Sequence, residues 1–279
     1  MIEIFDNIRK LYEFKSPCEA LVDYVEFFSE SSLEAMERYI DTDEFTVKLF
    51  PSYTPTIWLN LGSPYQLKNG STWHVVNEHT DILLLRNEIV ERRNLPTDNI
   101  FTVKFNPGGF ETIFGISQTT IGSDIIPVEN IIPASFIKKL KGLGSFEDRM
   151  TMLENLFLEK LEKNTRQEGF YLQCIKATVN AFTDSGLEAD ISELSKKLYI
   201  TEKTLYRCFT TVVGTNPKNY LAITRARAAL TGYVADPASF SPYDHGYYDM
   251  SHFYKDVIKF TGQKLSQYHP SAPYKRRGC

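Results

Sequence analysis

Hydrophobic and polar positions change period along the chain, and the changes divide it. In "CEALVDYVEFFSESSLEAMERYI", Leu21, Val22, Val25 and Phe28 recur at the spacing of one helix face, which predicts helix near the N-terminus. From Phe45 the texture differs. "FTVKLFPSYTPTIWLNLGSPYQL", "DILLLRNEIV" and "NIFTVKFNPGGFETIFGIS" are rich in β-branched and aromatic residues and cut by Pro and Gly, which predicts short strands closing into a sandwich or barrel. Within them "FNPGGF", Phe105 to Phe110, predicts a tight turn, because Pro fixes φ and the two glycines are free to take φ > 0. It lacks the spacing and the Lys of a phosphate loop.

Past Ile132 the period returns to that of a helix. "PASFIKKLKGLG" ends on glycines, and "SFEDRMTMLENLFLEKLEKN" opens with Ser145 and Asp148 at capping-box spacing. Its stripe of Met152, Leu153, Leu156, Phe157 and Leu161 reads as a core or dimer face. The polar "EKNTRQEG" marks a domain boundary near 162–169, giving domains 1–164 and 165–279. The second is helical almost throughout.

Two of its helices share one plan. In "TEKTLYRCFTTVVG" Leu205, Phe209 and Val212 form an apolar seam; in "DMSHFYKDVIKFTG" Phe253, Val257 and Phe260 do the same. The faces left free carry Lys203, Tyr206, Arg207 and Thr210 in the first, and Met250, Ser251, His252 and Lys255 in the second. Each starts at a cap residue, Thr201 or Asp249, and finishes at a glycine, Gly214 or Gly262. Each follows a short helix and a tight turn: "ISELSKKLYI", capped by Asp190, and "SPYDHGYY". That is the helix-turn-helix plan, whose second helix enters the major groove. The long "NPKNYLAITRARAAL" would join two such units, and a helix of about 18 residues spans ~27 Å, close to one turn of DNA at ~34 Å.

Composition and charge narrow the reading. The chain has 279 residues, 42% of them apolar, and a net charge of −4. Residues 165–279 carry 15 Lys and Arg against 10 Asp and Glu, and the remainder carries 16 against 25, so the basic half is the one suited to a polyanion. No apolar run approaches the ~18 residues of a membrane span, and "MIEIFDNIRK" has no signal-peptide core, so a cytoplasmic location is expected. Cys18, Cys174, Cys208 and Cys279 form no CxxC pair, which predicts reduced, mostly buried thiols. His74 and His79 could share a metal only with ligands from elsewhere.

Asp249, Ser251 and His252 resemble catalytic residues by type alone. On one helix Ser251 and His252 point ~100° apart and cannot form a nucleophile–base pair, so no catalytic residue is expected there. As recognition residues each has a task. Arg207 matches guanine's two acceptors, with a salt bridge to Glu202 as the alternative. Lys203 and Tyr206 reach bases or phosphates, Ser251 and His252 donate to bases, Met250 packs on a thymine methyl, and Lys255 reaches phosphate. Lys275, Arg276 and Arg277 add a basic tail that could graze the backbone.

Residues 170–270 resemble the DNA-binding domain of the AraC/XylS-type transcription regulators. The residues that carry the resemblance are Ile191, Leu194, Thr201, Leu205, Arg207 and Phe209; then Gly214, Pro217, Tyr220, Leu221, Arg225, Ala229 and Leu230; and Gly246, Tyr247, Asp249, Ser251, His252, Phe253, Gly262 and Tyr268. There are departures. Ser241 and Pro242 stand where the family has an Ile-Ala pair, so the helix before the second turn should start late or be short, and Leu265 replaces a usual Pro. "VKFNPGGFETIFGIS" and "PVENI" resemble a β-rich domain that often precedes this one.

The resemblance implies an α+β protein: a cupin-like N-terminal barrel with flanking helices, then an all-α domain of two helix-turn-helix units on a linker helix. It implies a bacterial regulator, not an enzyme, that binds promoter or operator double-stranded DNA without a cofactor. RNA polymerase, an unidentified small-molecule effector and a homodimer are the further partners expected of such a protein. Two other classes compete: a metal-dependent cupin-like enzyme built on His74 and His79, and a helix-turn-helix adaptor that no longer binds DNA.

Overall fold

The structure, a computed structural model, describes residues 10–164 and 169–268. The N-terminal half forms β1 (Tyr12–Lys15), β2 (Val25–Ser31), β3 (Phe45–Leu49), β4 (Pro55–Asn60), β5 (Tyr65–Asn69), β6 (Thr72–Val76), β7 (Ile82–Leu85), β8 (Val90–Asn94), β9 (Ile100–Phe105) and β10 (Ile125–Pro127). They make two antiparallel sheets: six strands in the order β1-β2-β9-β4-β7-β10 and four in the order β3-β8-β5-β6. The helices of this half are α1 (Leu33–Tyr39), α2 (Gly109–Phe114), α3 (Ala134–Lys141) and α4 (Phe146–Lys163).

The larger sheet is covered on both faces. Ile57 and Leu59 of β4, with Leu83 and Leu85 of β7, pack with residues of α2, α3 and α4. Trp58, Ile82 and Leu84, alternating with them, pack against Val47, Leu67 and Val90 of the smaller sheet. Burial on both faces is why "ILLL" is continuously apolar. The stripe of α4 is core: Leu153 and Phe157 are fully buried, and Phe157 sits among the rings of Phe28, Phe105 and Phe114. Ser145 Oγ accepts from the Asp148 amide at 3.1 Å, while the Asp148 carboxylate accepts from the Ser145 hydroxyl at 2.8 Å.

Two sequence expectations fail here. Residues Val25–Ser31 are a central strand, not helix; β2 lies between β1 and β9, and its β-branched and aromatic residues suit a doubly covered strand. Beyond the "NPGG" turn, Gly109–Phe114 is the helix α2 rather than more strand. Gly108 takes φ 76° and Gly109 lies so close to Tyr24 that a Cβ there would meet its carbonyl oxygen at 2.0 Å. The turn itself is as expected.

The C-terminal half holds α5 (Phe170–Asp184), α6 (Ile191–Lys197), α7 (Glu202–Val212), α8 (Pro217–Ala235) and α9 (Met250–Thr261). One cluster joins α5, α6 and α7 to the start of α8, through Ile175, Leu194, Leu205, Phe209 and Leu221. A second joins the rest of α8 to α9, through Leu230, Tyr233, Phe253 and Val257. Among the described residues no helix is long and apolar enough to cross a membrane. Cys279 and the basic tail Lys275, Arg276 and Arg277 lie outside the described residues, as do 165–168 at the expected domain boundary.

Candidate nucleic-acid interface

Helix α7 begins where the Thr201 hydroxyl accepts from the Thr204 amide at 3.1 Å, replacing a bond that the first helical turn lacks. Its apolar seam, Leu205, Phe209 and Val212, is buried together with Cys208. The opposite face leaves Lys203, Tyr206, Arg207 and Thr210 exposed at i, i+3, i+4 and i+7. Among the described residues neither Lys203 nor Arg207 lies within ion-pair distance of a carboxylate, so the Arg207–Glu202 bridge is not formed.

Helix α9 repeats the design. Asp249 Oδ1 accepts from the His252 amide at 2.7 Å, Phe253, Val257 and Phe260 are buried, and Gly262 ends the helix at φ 64°. Met250, Ser251, His252 and Lys255 are exposed. With Asp249 used as a cap, Asp249, Ser251 and His252 make no acid–base chain. The His252 ring instead stands edge-on to Tyr247, 5.0 Å between centroids.

Pro242 has the effect its ring demands. The segment before the second turn is only a 3-10 turn, Tyr243–His245, in place of a helix. Gly246 then takes φ 69°, and a Cβ there would meet the Leu187 carbonyl oxygen at 2.4 Å, so the second turn presses against the loop before α6. Arg225 of α8 pins the same turn: its guanidinium lies 4.8 Å from the Tyr247 ring and donates to Gly246 O at 3.4 Å. Tyr247 in turn donates to Asp256 at 3.1 Å.

The N-terminal half reaches both units, which the sequence did not show. Phe50 is fully buried in the α8–α9 cluster, 6.3 Å from the Phe260 ring, and Tyr53 borders both helical clusters. Gln118, fully buried, accepts from the Gly108 amide at 3.2 Å and donates to Tyr53 O at 2.9 Å and to Val213 O at 3.0 Å. Val213 is the residue that ends α7. An amide of the N-terminal half therefore satisfies a carbonyl at the end of the first exposed-face helix. The Cys208 thiol, buried against Cys174 beneath that helix, is pushed up to about 12 by burial first and by its neighbour second, which makes it a poor nucleophile.

Between the halves a cleft of about 380 Å³ is lined by Glu26, Asn106, Lys176, Tyr220, Thr224 and Arg227, among others. Glu26 on β2 lies 3.0 Å from Lys104 Nζ and 3.7 Å from Arg227 Nη2 on α8. Burial works to raise its carboxyl, but Lys104 and Arg227 outweigh that and hold it down at about 2. His74 and His79 are both exposed, and His79 pairs with Glu78 at 3.3 Å. Among the described residues no three His, Cys, Asp or Glu side chains gather as metal ligands.

Residues 194–270 match the sequence profile of a helix-turn-helix domain. Helix-turn-helix domains are a class that binds DNA, and α7, α8 and α9 all lie within the matched stretch. Among solved structures, ToxT from Vibrio cholerae is 13% identical, with 93% of this chain and 98% of that one covered and a TM-score of 0.48. An unsaturated fatty acid-bound ToxT from the same organism is 14% identical, with 81% and 93% covered and a TM-score of 0.45. The AraC-like transcriptional activator CuxR is 12% identical, with 86% and 93% covered and a TM-score of 0.28. No curated protein matches the chain in sequence.

Proposed function

We propose that the protein is a sequence-specific regulator that lays α7 and α9 into successive major grooves of operator DNA. The carrying observation is that Lys203, Tyr206, Arg207, Met250, Ser251, His252 and Lys255, on two helices each anchored by a buried seam, are all exposed. Arg207 reads guanine; Lys203 and Tyr206 reach bases or phosphates; Ser251 and His252 donate to bases; Lys255 holds phosphate. Helix α8, with 19 residues, is about 28 Å long and acts as the ruler between the units.

The N-terminal half modulates this activity. Support comes from its contacts with both units through Phe50, Tyr53 and Gln118, and from the cleft at Glu26 and Arg227, which is of a size for a small effector.

The test is a mobility shift on the DNA upstream of the protein's own gene, across a salt series. Wild type is expected to hold a discrete site with affinity falling steeply as salt rises, because phosphate contacts release counterions. Arg207→Ala is expected to lose ~1–3 kcal/mol at that site while keeping salt-dependent binding to bulk DNA. Affinity that is absent, or independent of salt, sinks the reading.

A further inference from the structure

The two exposed helix entries differ in chemistry, and the difference points to what each unit reads. In "GYYDM" the tyrosine doublet splits. Tyr247 is buried, its ring between Arg225, His252 and Phe253, while Tyr248 is 83% exposed. Met250, just past the cap residue Asp249, is 44% exposed. Neither side chain has a hydrogen bond, ion pair or ring contact among the described residues. At the entry of α7 the matching positions are Ile200, half-buried in the core, and the acidic Glu202, and the exposed groups that follow are Lys203, Tyr206 and Arg207.

We propose that the second unit reads thymine-rich DNA by apolar contact, with Tyr248 and Met250 packing on thymine 5-methyl groups while Arg207 of the first unit reads guanine. The inference rests on the regulator reading above. A single exposed apolar side chain needs no explanation, but two flanking one helix cap put apolar surface into water at that helix entry. In the major groove thymine alone presents a methyl, and guanine alone presents two adjacent acceptors. Neither Tyr248 nor Met250 carries a charge to match phosphate. The operator is therefore chemically lopsided, with a guanine-bearing half and a thymine-rich half, which fixes the direction in which the protein lies on it.

The experiment selects binding sites for the full chain from a randomised duplex pool, then remakes them with deoxyuridine for thymidine, removing only the methyl. The expected sites have one guanine-containing and one thymine-rich half. Uracil in the second half should weaken wild type by about fourfold for each contacted methyl. A Tyr248→Ala/Met250→Ala chain should bind the two forms alike, at an unchanged melting temperature because both side chains are exposed, and Arg207→Ala should keep the methyl dependence. Sequence-specific binding by wild type that ignores the methyl, or a methyl dependence that survives in the double variant, overturns this inference and leaves the regulator reading standing. Failure to retain any DNA at low salt overturns the regulator reading itself, and the patch is then a surface for protein.

Discussion

At Tyr199 the backbone turns through φ 54°. The side chain is 97% exposed, so nothing packed repays a left-handed conformation that is costly for any residue with a Cβ. Tyr199→Gly is expected to raise stability by about 1 kcal/mol, read as a higher melting temperature. Asp98 stores a cost of another kind. It is buried, Oδ2 accepts from the Leu95 amide at 3.0 Å, and Oδ1 has no hydrogen-bond partner among the described residues. Burial lifts its carboxyl from the ordinary 3.8 to about 7, against the pull of Arg92 and that amide. A carboxyl raised in the fold binds its proton more tightly there than in the unfolded chain. It therefore costs nothing below pH ~4, costs progressively more as pH climbs to ~7, and levels off above. Asp98→Asn should remove that slope and be more stable than wild type at pH 8 by about 1–2 kcal/mol, measured by denaturant unfolding at several pH values.

Among the elements, helix ends were the most legible in the sequence. Ser145, Asp190, Thr201 and Asp249 each accept from the amide three residues on, because capping is a local transaction between near neighbours. The seams of α7 and α9 were legible for the same reason. Strand β2 was not. Leu21, Val22, Val25 and Phe28 meet the helical spacing by coincidence, and only the flanking β1 and β9 give Val25–Ser31 its ladder bonds. A pattern cannot report a partner that lies 70 residues or more away, as Val103 does from Phe28. In the candidate site, the exposed polar faces of α7 and α9 were legible from periodicity; which tyrosine of the Tyr247–Tyr248 pair is buried was not, because only packing decides it. A prediction belongs at this scale. Asp249→Ala should cost about 1 kcal/mol through the lost cap and should lower helical signal on heating earlier than in wild type, as followed by circular dichroism.

Across the whole molecule the decisive contacts join the halves. Glu26 faces Lys104 of its own sheet and Arg227 of α8, at 3.0 and 3.7 Å. Its carboxyl is held at about 2 against an ordinary 4.5, so the stabilisation is complete above pH ~4.5 and is lost as pH falls toward 2. Glu26→Gln leaves the fully buried Lys104 ammonium without that countercharge and should cost about 3–5 kcal/mol near neutral pH, with little difference from wild type at the acid end, as measured by denaturant unfolding. None of this was legible beforehand, since Lys104 and Arg227 lie 78 and 201 residues from Glu26 along the chain.

The turn from Phe50 to Tyr53 carries one more consequence. Phe50 completes the α8–α9 cluster and Tyr53 borders both helical clusters, so neither helix-turn-helix unit closes its core with its own residues alone. The protein should then unfold cooperatively, in a single calorimetric transition whose calorimetric and van't Hoff enthalpies agree. Residues 165–279 expressed alone would present an apolar notch where Phe50 belongs. Such a fragment is a poor proxy for the whole protein: it should melt earlier and self-associate, and a failure of it to bind DNA would report on the missing phenylalanine rather than on the exposed faces of α7 and α9.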